Sequence, residues 1–193
     1  MTTNLLDIDH LMVKVDDCDA AAADFAALGF TVTARSEMPG LSNRLICFNS
    51  ATPGLCNYIE LMELKDAASA PEPMPELLDI PEGPVSTVMG ARDIDDLAAD
   101  LTAKGIRFAP PIDLERDWPL ADDKVIRPAF RVLIPETGQA PFYWNACQHK
   151  TPQHYTRTEF VHHPNGAQAL TRVIAWTEEP GAVRADYARH WDA

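Results

Sequence analysis

The stretch IDHLMVKVDDCDAAAADFAALGF, residues 8–30, decides the fold, because it combines a strand, a capped helix and a glycine stop. Apolar side chains recur at every second residue from Leu11 to Val15, which is the period of a strand with one buried face. Asp17 or Asp19 then offers a carboxylate that caps a helix. The alanine-rich run that follows favours a helix, and Gly29 suits a left-handed stop at its end.

The same plan returns further along the chain. Gly105 lies 76 positions after Gly29, and the same shift superposes three aspartates of the first stretch on three others: Asp17, Asp19 and Asp24 on Asp93, Asp95 and Asp100. Part of the pattern recurs from Val173 to Trp191. There, Ala-Asp-Tyr-Ala at residues 185–188 corresponds to Ala-Asp-Phe-Ala at residues 23–26 of the first predicted helix. Because strand and helix features coincide together, we infer an internal duplication.

Length and charge limit the class of protein. A chain of 193 residues is long enough for one domain or two small halves that share a core. The net charge of -13 opposes non-specific binding to nucleic acid or to anionic membranes. No segment approaches the roughly 20 apolar residues of a membrane helix, and the N-terminus lacks the basic and apolar regions of a secretory signal.

The four cysteines have no zinc-type spacing and predict a reduced, cytoplasmic protein. They are Cys18, Cys47, Cys56 and Cys147. A bond between Cys47 and Cys56 across a hairpin is the alternative.

Residues 6–64 predict a first unit of strand, helix and three strands. The three strands after the helix are expected at Phe30–Ala34, Arg44–Asn49 and Asn57–Leu64. Residues 65–83 carry four prolines and several acids, which predicts a surface linker.

Residues 84–149 predict a second unit on the same plan. Its expected elements are a strand at Val85–Met89, a helix at Ile94–Lys104, and strands at Ile106–Phe108, Val125–Ile134 and Pro141–His149. The long loop 109–123 is expected to form a wall or lid of a pocket. A polar loop, 150–168, completes a domain of residues 1–168. Residues 169–193 then predict a partial third strand-helix unit that packs on the domain or on a second copy of the chain.

These features resemble the vicinal oxygen chelate superfamily, in particular its glyoxalase-like members. The resemblance rests on the paired units, on His10 in the first strand and on Tyr58-Ile59-Glu60-Leu61 in the fourth, and it covers residues 8 to about 192. Cys147-Gln148-His149 and the later His163-Pro164-Asn165-Gly166-Ala167 are similar to a signature of uncharacterised members.

The resemblance implies an α+β fold in which paired βαβββ units form a curved, mostly antiparallel sheet with helices outside. Each unit curls into half a cup, and a divalent metal (Zn, Ni, Mn or Fe) sits in the cup. The superfamily includes lyases, isomerases, epimerases, extradiol dioxygenases and metal-free drug-binding proteins, so the fold leaves the function open.

The resemblance also implies metal ligands in the first and fourth strands of each half. His10 and Glu60 match these positions in the first half. Ser86 and Asn145 stand at the corresponding positions of the second half, and neither is a good ligand for a divalent ion.

Alternation along the fourth strand places Tyr58, Glu60 and Met62 on one face, which we expect to line the cup. A carboxylate among aromatic and apolar neighbours needs a positive partner, because its desolvation is costly. Glu60 is therefore the predicted catalytic residue.

Alternation along the last strand places Tyr143, Asn145 and His149 on one face. His149 would then complete a two-His, one-carboxylate triad with His10 and Glu60. In the opposite register, Gln148 would be the polar group that faces the ligand.

Two further ligand contacts are predicted outside these strands. His163 is predicted to lie in a turn, and the alternative is that it contacts the ligand in the pocket. Trp118 on the long loop is expected to reach a ligand, or else to be part of the core.

The sequence therefore predicts a glyoxalase-like, metal-dependent enzyme of the lyase, isomerase or dioxygenase type that acts on a small molecule with adjacent oxygens. The alternative is a metal-free small-molecule binding protein of the same fold. A cytoplasmic homodimer without nucleic-acid or membrane partners is expected in either case.

Overall fold

The computed structural model describes residues 4–120, 124–136, 138 and 142–191. The chain folds into a curved eight-stranded sheet with its long helices on the outer side, which is the predicted α+β class. None of the helices in these ranges is long and apolar enough to span a membrane.

The first unit has four strands and one long helix. They are β1 (Leu5–Lys14), α1 (Cys18–Ala27), β2 (Ser36–Met38), β3 (Leu41–Phe48) and β4 (Asn57–Leu64). A short helix, α2 (Met74–Leu78), lies in the connection to the second unit.

The second unit repeats this plan with two short additional strands. Its elements are β5 (Gly83–Ala91), α3 (Ile94–Ala103), β6 (Ile112–Glu115), β7 (Trp118–Pro119), β8 (Val125–Ile126), β9 (Ala129–Leu133) and β10 (Trp144–His149). A 3-10 turn at Pro152–His154, α4 (Thr158–Val161) and α5 (Pro180–Trp191) follow.

The strand order shows the duplication directly. It runs β2-β3-β4-β1-β5-β10-β9-β6, so the two halves are related across the antiparallel β1–β5 pair. Each half has one parallel pair, β1–β4 and β5–β10, and its remaining pairs are antiparallel. Strands β7 and β8 form a separate two-stranded ribbon.

The same local signals begin and end the two long helices. Asp17 caps α1 by accepting hydrogen bonds from the amides of residues 19 and 20, and Asp93 caps α3 in the same way. Gly29 and Gly105 follow these helices with φ angles of +81° and +76°, in the region that favours glycine.

The helices cover one face of the sheet and leave the other for the cup. Cys18 and Phe25 of α1 pack against Ile59 and Leu61 of β4. Because side chains alternate along a strand, Glu60 and its neighbours two residues away point to the opposite, concave face.

Two predicted strands are absent for local reasons. Residues 30–34 are not a strand, because the Thr33 side chain accepts the amide of Leu45 and so replaces a bond of the ladder. The expected strand Ile106–Phe108 is reduced to one bridge between Phe108 and Pro135. The predicted long loop, in contrast, contains the edge strand β6.

The segment 65–83 is more than a surface linker, because it contains α2 and its side chains line the central cavity. In the tail, the helix is present as α5, but residues 173–176 form no strand, and Ile174 and Trp176 are 82% and 92% exposed. Residues 121–123, Pro141 and the last two residues of the predicted tail unit lie outside the described residues. All four cysteines are buried free thiols.

A segment after the sheet ties back to the first unit. In this C-terminal strap, residues 162–170, the Asn165 amide donates to Gly29 O over 3.1 Å and the Leu170 amide to Asn57 Oδ1 over 2.8 Å. A Cβ on Gly29 would stand 2.9 Å from Asn165 Cβ, so glycine is required there for space as well as for its φ angle.

Candidate functional site

The concave side of the sheet encloses a cavity of about 310 Å³. Apolar side chains of both halves form most of its wall: Met12, Met62, Leu114, Phe130, Val132 and Ile134. The polar side chains of His10, Glu60 and Arg116 also reach this wall and belong to one connected network. An apolar container with a few placed polar groups is typical of small-molecule sites.

A β-bulge brings Asp9 and His10 together. Between the pairs Ile8–Met89 and His10–Val88, β1 advances two residues while β5 advances one, so Asp9 is the additional residue. Its side chain is fully buried, and its Oδ1 lies 2.7 Å from Nδ1 of His10. The carboxylate therefore fixes the Nδ1 proton and turns Nε2 of His10 towards the cavity.

His10 and Glu60 face each other on neighbouring strands. Nε2 of His10 lies 3.4 Å from Oε2 of Glu60, and the Tyr58 ring stacks on the imidazole at 4.1 Å between centroids. Oε1 of Glu60 accepts a hydrogen bond of 2.5 Å from the side-chain amide of Asn43. Oε2 is consequently the carboxylate oxygen that is available to a ligand.

The network shifts the pKa of each residue in the direction that favours its charged form. Burial alone would lower the pKa of His10, but its hydrogen bonds to Asp9 and Glu60 outweigh burial and raise it above the usual 6.5. Burial alone would raise the pKa of Glu60, but His10, Arg116 and Asn43 lower it. His10 thus lies between two carboxylates, Asp9 and Glu60, which favour its protonated form.

Arg116 extends the network on the other side of Asn43. Its Nη1 donates to Asn43 Oδ1 over 2.6 Å, and its guanidinium carbon lies 5.1 Å from the centroid of the Trp118 ring. Arg116 is only 6% exposed, although it lines the cavity. A positive charge therefore lies in the wall, linked to Glu60 through one amide side chain.

His149 does not join His10 and Glu60 as predicted. Its Nε2 lies 3.0 Å from Asp9 Oδ1 and 3.6 Å from Cys147 Sγ, behind the residues that line the cavity. Its Nδ1 is buried with no hydrogen-bond partner among the described residues. Asp9, which the bulge inserts between the two histidines, is the reason that the predicted triad is not assembled.

A second group of potential ligands lies behind the cavity wall. Donor atoms of Asp9, Cys56 and His149 lie within 4.8 Å of one another, and all three residues are buried. Burial, with Asp9 nearby, raises the pKa of the Cys56 thiol. The group has the residue types of a metal site, but it holds a protonated thiol and does not face the cavity.

The second half of the cup offers little to a cation. Ser86 Oγ donates to Asn145 Oδ1 over 2.6 Å, so the two residues at the predicted ligand positions satisfy each other. Val88, Val132 and Cys147 pack together beside them. Of the four predicted ligand positions, the two with titratable side chains, His10 and Glu60, therefore both belong to the first half.

The donor set of His10 and Glu60 nevertheless fits part of a divalent site. When His10 is neutral, its Nε2 and the facing Glu60 Oε2 are both acceptors, so a metal ion held by both would relieve their repulsion. The Asp9 carboxylate on Nδ1 is the outer partner that a metal-bound imidazole commonly has. With Ser86 and Asn145 engaged, the remaining coordination positions would fall to ligand oxygens or water.

The predicted ligand-binding residues are divided by the fold. Tyr58, Met62, Tyr143 and Asn145 line the cavity. The other four are not in its lining, and each of them has a structural role: Ser86, which is bound to Asn145, and Trp118, Gln148 and His163.

Trp118 is fully buried and stacks on Phe160 at 5.0 Å between ring centroids. Gln148 lies on the outer face of β10, where it accepts from the Ile94 amide and donates to Arg92 O. His163 belongs to the strap, where Nδ1 accepts from the Thr31 amide and Nε2 donates to Cys47 O. The structure thus places these three residues outside the central cavity, and His163 lines a separate cavity beside the strap.

Sequence reasoning missed Asp9, Asn43 and Arg116. A bulge cannot be read from alternation, and strict alternation would place Asp9 on the face opposite His10. Arg116 had a usable signal, because Ile112, Leu114 and Trp118 precede and follow it at every second residue, and the residues between them are acidic.

Comparison with known proteins supports the assignment of the fold. The family model of the glyoxalase-like domain matches residues 8–191. None of the curated proteins matches the chain.

Several solved structures share the architecture. A methylmalonyl-CoA epimerase in complex with methylmalonyl-CoA and NH4+ is similar, with 22% identity and a TM-score of 0.54 over 74% of this chain and 94% of that one. The methylmalonyl-CoA epimerase of Mycobacterium tuberculosis has 19% identity and a TM-score of 0.52, and the match covers 76% of this chain and 90% of that one. A hypothetical protein from Staphylococcus aureus has 15% identity and a TM-score of 0.55, and the match covers 77% of this chain and 61% of that one.

At these identities, the structural matches establish the fold and leave the reaction open. The family match covers nearly the whole sequence, and the strand order has the paired units expected of the fold. The chain therefore belongs to the glyoxalase-like domain family of the vicinal oxygen chelate superfamily.

Proposed function

We propose that this protein is a small-molecule enzyme of the isomerase or lyase type that moves a proton next to a carbonyl group. The observation that carries the proposal is the buried His10–Glu60 pair, 3.4 Å apart on the wall of an otherwise largely apolar cavity. Buried, oppositely charged titratable groups in a cavity are typical of acid–base sites.

The two residues would have complementary roles. Oε2 of Glu60 accepts a proton from the carbon beside the carbonyl, while Nε2 of the His10 imidazolium donates one to the carbonyl oxygen. Asp9 stabilises the His10 ring and Asn43 holds the other oxygen of Glu60, so both groups are oriented before the ligand binds. The apolar walls, with Tyr58, Met62 and Tyr143, exclude water from the proton transfer.

A divalent metal, Zn, Ni, Mn or Fe, would be held by His10 and Glu60 in place of the shared proton. When bound, it supplies a Lewis acid to two adjacent oxygens of the substrate. The dioxygenase version of this function depended on His149 as a third ligand, and the contact of His149 with Asp9 disfavours it.

The test begins with metal analysis of protein that was purified without chelator and of protein reloaded after chelation. NMR in D2O then follows hydrogen exchange beside the carbonyl of 2-oxo acids and their esters. We expect Glu60→Gln to slow the exchange about a hundredfold or more while binding persists. Glu136→Gln, which changes an exposed glutamate paired with Arg107, is the matched control. Exchange at the wild-type rate in Glu60→Gln would refute the role of Glu60.

A metal-free binding protein is the second candidate, and the Ser86–Asn145 hydrogen bond favours it. It predicts that a ligand raises the melting temperature of the chelated protein and that His10→Ala and Glu60→Gln leave this effect unchanged. Hydrogen exchange that the wild type catalyses and Glu60→Gln loses, although both proteins bind the ligand, would instead support the enzyme.

We also propose that residues 1–168 form the glyoxalase-like domain and that 169–193 are a partial third unit, which packs on this domain through Tyr187 and also contacts a second copy of the chain. The exposed Ile174 and Trp176 support this homodimer, because apolar side chains on an extended segment favour association. Four unpaired thiols support a reducing compartment such as the cytoplasm.

A further inference from the structure

Arg116 is a buried cation that its surroundings only partly satisfy. Nη1 is bound to Asn43 and the Tyr155 hydroxyl forms a hydrogen bond with the guanidinium, but Nε is buried and has no hydrogen-bond partner among the described residues. Within the described part of the chain, no carboxylate forms an ion pair with Arg116. A buried charge in this condition is costly unless a ligand compensates for it.

Its neighbours hold the guanidinium in a fixed orientation. Trp118 covers it at 5.1 Å, and the backbone amide of Arg116 donates to Pro128 O. Other arginines near the edge of the sheet differ, because Arg127 is 71% exposed and paired with Asp117, and Arg131 is paired with Asp95 and Asp113. The surroundings of Arg116 thus fix the side chain without neutralising it.

We propose that Arg116 binds the carboxylate of the ligand and that the substrate is a small carboxylic acid with an apolar body. The N–H donors of a guanidinium match the two oxygens of a carboxylate, and such charge-assisted pairs are strong and directional. The apolar body lies against Leu114, Phe130 and Val132, which line the same cavity. This inference rests on the proposed function in one respect: the carbonyl group of the substrate is taken to lie near His10 and Glu60.

The arrangement explains why the cup needs few polar groups. Asn43 connects Arg116 to Glu60, so the anion site and the acid–base pair are fixed relative to each other by one buried side chain. Asn43 is 1% exposed and lies on the rigid strand β3. A 2-oxo acid, whose carbonyl and carboxylate are adjacent, suits this compact arrangement.

The probes are phenylpyruvate and its methyl ester, which keeps the shape but loses the charge. Calorimetry on chelator-treated protein should give at least about tenfold tighter binding of the acid, the expected value of a charge-assisted contact. Arg116→Gln should abolish this preference, and the control Arg127→Gln should retain it. If Arg116→Gln does not fold, Arg116→Lys tests the same contact. Lysine keeps the positive charge but lacks the planar pair of donors, so we expect binding of the acid to weaken several-fold.

Equal affinity for acid and ester, no binding of the acid, or an unchanged preference in the Arg116 variants would each overturn the inference. Glu60→Gln separates it from the proposed function, because this variant should keep the preference for the acid and lose hydrogen exchange. A wild-type protein that prefers the acid but catalyses no exchange would support the anion site and refute the catalytic proposal. Hydrogen exchange without any preference for the acid would support the catalytic proposal and refute the anion site.

Discussion

Asp9 accepts hydrogen bonds from His10, from His149 and from the Cys56 amide while it is completely buried. Burial would raise its pKa, but His149 and His10 lower it to about 2. A carboxyl group whose pKa is lower in the folded than in the unfolded protein stabilises the fold at pH values above its unfolded pKa. This stabilisation is lost as the pH falls through the folded pKa. Asp9 therefore remains ionised near neutral pH.

The raised pKa of His10 predicts a pH dependence with a definite sign. Its protonation contributes stability that is fully present below the ordinary value of 6.5 and is lost as the pH rises through the folded pKa. We expect the denaturation midpoint of chelator-treated protein to fall as the pH rises above 6.5. In His10→Gln, this slope should be absent.

Guanidinium titrations at a series of pH values measure the effect, with His162→Gln as the control, because His162 is exposed. A slope of the same size in wild type and His10→Gln would show that another group is responsible. Bound metal should reduce the slope in the wild type, because it replaces the proton on Nε2.

At the scale of elements, His163 connects the strap to the first unit. Both ring nitrogens bind backbone groups, and the ring lies 5.0 Å from Phe48 and 5.7 Å from Phe30 between centroids. We expect His163→Ala to lower the free energy of unfolding by about 2–4 kcal/mol, because the Thr31 amide and the Cys47 carbonyl lose their partners.

Hydrogen exchange of the Thr31 amide provides the local measurement, and its protection should fall more than that of α3. His162→Ala is the control, since only the backbone of His162 contacts Thr31. Unchanged protection at Thr31 would mean that the strap is held by its other contacts.

The elements that sequence reasoning located were those with strong local signals. Asp17, Asp93 and the two glycines mark both helices, and alternation correctly separated the two faces of β4. The missed elements depend on distant partners. Strand β6 forms by pairing with β9, and α2 packs through Leu78 against Met12 and Met62 in another part of the chain. Such partners leave no signature in a local window.

At the scale of the whole molecule, the duplication produced two unequal halves. The paired architecture was predictable because it repeats along the sequence, but the arrangement of the site was not. The bulge at Asp9 depends on the register between β1 and β5, and this register decides that Asp9, rather than Glu60, contacts His149. Alternation identifies faces of strands, whereas the selection of partners requires the assembled sheet.

Removal of the tail after Gln168 tests its contribution to the whole fold. The truncation deletes the Leu170–Asn57 contact and α5, whose Tyr187 packs on the core beside α3 and donates to Phe142 O. We expect the melting temperature to fall by about 5–10 °C. If the tail also holds a dimer, the mass from light scattering will halve.

Trp176→Ser is the matched variant, because it changes a side chain that is 92% exposed and leaves the contacts of Leu170 and Tyr187 intact. It should alter the mass of a dimer without lowering the stability of the monomer. A truncated chain that keeps both its melting temperature and its mass would show that the tail is dispensable.

The strap has a consequence for the order of synthesis. Asn57 and Leu170 are 113 positions apart, and at ordinary translation rates the ribosome needs about 6–23 s to make that length. Throughout this interval the nascent first half lacks the contacts that His163 makes with Phe30, Phe48 and Thr31. We therefore expect Phe30 and Phe48 to be less protected from solvent in the nascent first half until the strap has been synthesised and has packed against them.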